Sequence, residues 1–140
     1  MKTINYLTFI LICLSALLIT SSCDSFRKGY VQGLLQATVK EVNKTCPNML
    51  DAETRMDSAT LPAGEKTIRY HYTLVHFTAA QLDTNLFKDK LTPGMVSSIK
   101  IQKELKAIRD NNITMQYSYY GSDKDYICMI NITPDKYTAK

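Results

Sequence analysis

The chain has 140 residues and a formal net charge of +4, enough for one ordinary domain and too few for two. Hydrophobic residues make up 45% and charged residues 21%, which excludes a disordered chain, and five Gly and four Pro exclude collagen-like or low-complexity character. The 17 Lys and Arg are scattered, so no segment reads as a nucleic-acid-binding arm.

The first element is an address. Lys2 is followed by an apolar run from Tyr6 to Ile19, then Thr20, Ser21, Ser22 and Cys23. This is the three-part pattern of a secretory signal peptide, assigned to residues 1–22. The apolar run is about 14 residues long, whereas a spanning helix takes about 20. A retained transmembrane anchor and cleavage without a lipid are the alternatives. An apolar run, small residues and then Cys resembles the lipobox of bacterial lipoproteins. That resemblance implies a diacylglycerol on Cys23, cleavage just before it and further acylation of the new amine, the usual chain being palmitate. Thr20 departs from the pattern, since many lipoboxes carry Leu there; Ser21 and Ser22 fit. Asp24 leaves the choice between inner and outer membrane open. Two or three acyl chains on one residue anchor a protein stably.

Lys2 is the one charged residue among the first 22, so the mature part carries 16 basic and 13 acidic side chains, a net +3. Residues 23–29 read as a lipidated tether in which Arg27 and Lys28 can attract anionic headgroups. Of the four cysteines, Cys13 leaves with the signal and Cys23 carries the lipid. Cys46 and Cys128 remain, and an even pair in an exported chain suggests a disulfide. It would close a loop of about 80 residues, worth roughly 4.5 kcal/mol in the chain-entropy treatment; two separate buried thiols are the alternative. The chain has no CxxC and no Cys/His cluster with zinc spacing, so neither metal nor cofactor is expected.

Residues 30–140 read as a single domain. Val31, Leu34, Leu35, Val39 and Val42 recur at helical steps up to a break at Cys46-Pro47. Alternation then predicts a hairpin with strands near 54–61 and 66–77, joined by the turn Pro62-Ala63-Gly64-Glu65. Thr78 with Gln81 reads as a capping box opening a helix to about Lys90, and Thr92-Pro93 as its restart. Val96, Ile99, Ile101, Leu105 and Ile108 supply the apolar face, and Asn111-Asn112 the left-handed stop. A second hairpin follows, from Ile113 to Tyr120 and from Tyr126 to Ile132 around Gly121-Ser122-Asp123-Lys124, with a frayed end after Pro134. The predicted class is α+β: one antiparallel four-stranded sheet with helices on one face, in the order α-β-β-α-β-β.

Six tyrosines fall on predicted strands, as core-edge residues or as a recognition face. His71 and His76 differ in strand parity, which argues against a shared metal site. No nucleophile elbow, phosphate loop or HExxH is present. Asp51, Glu53 and Asp57 cluster about one turn, more simply as turn and cap residues than as an acid–base pair. Asp57-Ser58-Ala59 matches the short sequon by which Bacteroidota O-glycosylate exported proteins, with Ser58 as acceptor. Three Asn-x-Thr triplets, at Asn43, Asn112 and Asn131, match the N-glycosylation pattern, which a bacterial lipobox argues against using. Asn43-Lys44-Thr45-Cys46-Pro47, Thr54-Arg55-Met56-Asp57-Ser58 and Tyr70-His71-Tyr72 resemble small exported bacterial proteins of uncharacterised function, which implies export and no activity. The functional expectation is a non-enzymatic binding or accessory module, lipid-anchored in the bacterial envelope on its periplasmic or surface side, with a protein partner. Pilotins, enzyme inhibitors and accessories of assembly machines share its size. The alternative is a small envelope enzyme with a cleft near His71 and Asp57.

Overall fold

The computed structural model describes residues 6–138, with side chains from residue 25 onward. The start of the expected signal segment (residues 1–5) and the side chain of Cys23 therefore lie outside the described residues. The chain divides into two units, one ending at Leu34 and the other beginning at Leu35. A helix, α1 (Tyr6–Thr45), belongs to both. Residues 24–29, expected as a tether, are helical within it. Among the described residues no helix is long and apolar enough to cross a membrane.

The second unit carries the sheet. Its strands are β1 (Asn48–Met49), β2 (Thr54–Thr60), β3 (Thr67–Leu74), β4 (Thr114–Gly121) and β5 (Tyr126–Ile132), in the order β1-β2-β3-β4-β5. The α+β class holds, but the sheet has five strands and not four. β1 escapes periodicity because two residues cannot show a period. It forms because the turn before β2 is closed locally: Asp51 Oδ1 accepts from the Glu53 and Thr54 backbone N–H groups at 2.8 and 2.7 Å. The two predicted hairpins, β2–β3 and β4–β5, are antiparallel, whereas β3 and β4 pair in parallel. A parallel pair needs a long crossover, and the helices between Leu74 and Thr114 supply it.

Those helices are α2 (Thr84–Ile101) and α3 (Lys106–Asp110). Asp83, not Thr78, caps α2, accepting from Asn85 and Leu86 N–H at 2.9 and 3.1 Å. Thr78 heads a 3₁₀ turn, where its N–H donates to Gln81 Oε1 at 2.8 Å. The expected break at Thr92-Pro93 does not occur, since Pro93 lies inside α2. An interior Pro costs about 3 kcal/mol. Phe87, Leu91, Met95 and Ile99 recur every fourth residue across it; Ile99 is fully buried and the other three are half-buried, which offsets part of the cost. Arg109 ends α2, donating to the Ile99 and Gln102 carbonyls at 2.6 and 2.7 Å. Asn112, at φ 52°, takes the expected left-handed stop. The chain does not fray after β5: α4 (Pro134–Thr138) buries Tyr137, whose hydroxyl donates to the Ile113 carbonyl at 2.8 Å.

Most of the apolar core lies on the helix-covered face of the sheet. Ile68, Ile99, Ile113 and Ile132 are fully buried, with Met115, Ile130 and Cys128 nearly so. At the opposite margin, Asn43 near the end of α1 closes the edge of β2 beyond the short β1. Its side chain accepts from Ala59 N–H at 2.7 Å and donates to the Ala59 carbonyl at 2.9 Å, which blunts a free edge.

Candidate binding groove

Side chains alternate across a strand, so β3 presents Ile68, Tyr70, Tyr72 and Leu74 on one face and Thr67, Arg69, His71 and Thr73 on the other. Parallel pairing sets equivalent residues side by side, Tyr70 with Tyr117 and Tyr72 with Tyr119. Four tyrosines therefore stack as a block. Ring centroids are 5.7 Å apart for Tyr70–Tyr117, 5.2 Å for Tyr72–Tyr119 and 6.2 Å for Tyr72–Tyr117. Phe87 of α2 meets Tyr119 edge-on at 5.0 Å. Burial raises the pKa of all four hydroxyls, and the neighbouring tyrosines add to the rise at Tyr72, Tyr117 and Tyr119. The block is therefore neutral at physiological pH.

Between this block and α2 runs an apolar groove of about 460 Å³. Tyr72, Tyr117 and Tyr119 form its floor, and Leu82, Phe87, Leu91 and Met95 its wall. Leu50, half exposed, closes the near lip with Asp51 and Glu53. The Asp51 carboxyl is held below its usual range by the backbone N–H groups of Glu53 and Thr54. The groove continues past Met95 toward Ile99 and Leu105. Leucine and methionine walls over an aromatic floor suit an apolar segment, and methionine adapts to irregular shapes.

The other face is polar. Asp57 is engaged at both oxygens, by Arg55 Nε and by the Thr73 hydroxyl, each at 2.6 Å. Arg69 Nε donates to Gln116 Oε1 at 2.8 Å. His71 Nε2 lies 2.9 Å from the Thr60 hydroxyl, and its ring stacks on Tyr120 at 6.3 Å. Burial and then Arg69 lower the His71 pKa, with Asp57 pulling the other way. His71 and Asp57 thus share the polar face, in a network of paired groups, and neither lines the groove. His76 lies beyond the end of β3 and is exposed. Ser58 follows a bulge in β2, opposite His71 and half-buried.

Cys46 and Cys128 are free thiols, and the expected bond between them is not formed. The strand order gives the reason. Cys46 leads into β1 at one edge and Cys128 lies in β5 at the other. Four strand spacings separate those edges, roughly 19 Å, while a disulfide needs Cα atoms within about 7 Å. Burial raises the pKa of both thiols. Among the described residues no three His, Cys, Asp or Glu side chains group as metal ligands.

The groove wall was hidden in the sequence by Pro93. A reading that stops the helix before Thr92 separates Phe87 and Leu91 from Met95 and Ile99, and the every-fourth-residue spacing across the proline is the signal that finds them.

These features define an α+β sheet-and-helix fold that solved structures share. A pilotin from the Vibrio vulnificus type 2 secretion system matches with TM-score 0.64 at 8% identity, covering 83% of this chain and 99% of its own. The type II secretion system pilotin of Vibrio cholerae matches with TM-score 0.60 at 12% identity, covering 80% and 96%. A Pseudomonas aeruginosa protein described as secreted matches with TM-score 0.63 at 12% identity, covering 79% and 95%. The chain itself belongs to the family described as a domain of unknown function (DUF8479), whose model matches residues 32–128. No curated protein sequence matches the chain.

Proposed function

We propose that this protein is a lipid-anchored component of the bacterial cell envelope that acts without catalysis, by holding an apolar segment of a protein partner in the tyrosine-floored groove. The observation that carries the reading is the groove: a floor of neutral, stacked tyrosines, walled by Leu82, Leu91 and Met95. Such a surface offers contact area and shape, and an amphipathic segment that buries apolar residues there gains about 25 cal/mol per Å². Two structures with this fold are pilotins, which supports an accessory role, and a third is described as secreted, which supports export. The signal-like run ending at Cys23 supports a lipid anchor there.

Site-specific photocrosslinking tests the reading. A photoreactive residue at Leu50 or Met95 is expected to capture one and the same envelope protein. The same residue at Thr60, on the polar face, is expected to capture none. Adducts confined to Thr60 would overturn the assignment of the groove.

A further inference from the structure

We propose that residues 24–30 of α1 dock on an anionic bilayer surface, an inference that rests on reading Cys23 as the lipid anchor. Phe26 and Tyr30 are 82% and 60% exposed. They lie four residues apart on one helix and therefore share a face. Arg27 and Lys28, both exposed, stand between them. Asp24 is the one acid of the segment, and from Ser25 to Val39 the chain carries no Asp or Glu, so the local charge is net positive.

Distance along the helix keeps this group close to the anchor, with Phe26 and Arg27 within headgroup reach and Lys28 and Tyr30 at or just beyond its outer limit. At 1.5 Å per residue, Phe26 lies about 4.5 Å from Cys23 and Tyr30 about 10.5 Å. Arg27 and Lys28 fall between, about 6 and 7.5 Å away, within one Debye length at physiological salt. The polar zone of each leaflet is about 5–7 Å thick. An aromatic ring is favoured at that boundary, and each cation near an anionic surface adds about fivefold to the partition. The charge selects the occupant: a bilayer with anionic headgroups, in preference to another protein or a second copy of this chain.

The test uses the full-length envelope-purified protein reconstituted in vesicles, either phosphatidylcholine alone or equal parts phosphatidylcholine and phosphatidylglycerol. Trypsin cuts after Arg27 and Lys28, and cutting after Lys66, in the turn between β2 and β3, is the internal reference. Relative to that reference, anionic vesicles are expected to slow cleavage at Arg27 and Lys28 at least about tenfold, and Phe26→Ala with Tyr30→Ala to restore it. Flotation separates the two ideas. Protein that floats with both vesicles and is cut equally fast on both overturns the docking and leaves the lipid anchor standing. Protein that floats only with anionic vesicles, and is released by salt, removes the anchor on which the docking rests and overturns both. Protein that floats with neither overturns both. Protection that depends on protein density and not on phosphatidylglycerol assigns the face to a second copy and overturns the docking.

Discussion

The two faces of the sheet are built from the same strands and solve opposite problems. On the helix side, β3 and β4 contribute Ile68, Tyr70, Tyr72, Met115, Tyr117 and Tyr119; the four tyrosines stack with one another, and Tyr119 meets Phe87 edge-on. On the other side, the intervening residues Arg69, His71, Thr73 and Gln116 satisfy one another through hydrogen bonds with Thr60, Asp57 and their neighbours. The first face gains by area removed from water, the second by pairing groups that would be costly to strand. The lesson is that a titratable cluster is not by itself a site. Asp57 and His71 look chemical in sequence, yet both are occupied in structural pairs, while the face without charge is the one that leaves a groove.

The sharpest way to break this comparison is to empty the helix-covered side. Ile99 is fully buried at the inner end of the groove. Ile99→Ala is expected to cost about 2–5 kcal/mol, read by chemical denaturation. A loss below about 1 kcal/mol would mean that α2 is not seated on the sheet as described.

Alkaline unfolding probes the same face by charge. The folded-state pKa of Tyr70, Tyr72, Tyr117 and Tyr119 lies above the ordinary value of 10 because burial disfavours the phenolate. Their contribution is therefore full below pH 10 and is lost as pH rises above it, where the unfolded chain releases protons and the folded one does not. Each buried tyrosine is expected to cost up to about 1.4 kcal/mol per pH unit in that window. Thermal melts between pH 9 and 12 check this, and Tyr117→Phe is expected to flatten the slope.

Much of the architecture was legible locally. Period-two alternation marked β2 through β5, because each strand has one face to bury, and the Asn111-Asn112 stop was readable from side chains that tolerate a left-handed backbone. Long-range choices were not. Two hairpins can join in several ways, and the parallel β3–β4 contact is decided by packing across a crossover of some forty residues. The same choice puts Cys46 and Cys128 at opposite edges, so their even number misled. The groove draws on positions from Leu50 to Tyr119, and no sequence window contains it.

The polar face supplies the smallest expected effect. His71→Ala removes one hydrogen bond to Thr60 and a stack on Tyr120. It is expected to change stability by about 0.5 kcal/mol or less at pH 7. Because the His71 pKa is lowered in the folded state, the wild-type chain loses a little stability as pH falls below its ordinary value of 6.5, and the variant does not. Function in cells is expected to survive the substitution. A folded His71→Ala protein with partner binding intact and function abolished would point to catalysis on this face.

In the proposed function the groove, and not the polar face, holds the partner. The most direct measurement is the affinity of the protein captured by crosslinking for two charge variants of equal size. Leu50→Arg places a cation at the groove lip, where Leu50 is half exposed. Thr60→Arg places the same cation on the exposed end of β2. At least about a tenfold loss of affinity is expected for Leu50→Arg and no change for Thr60→Arg. The reverse pattern would contradict the proposed function.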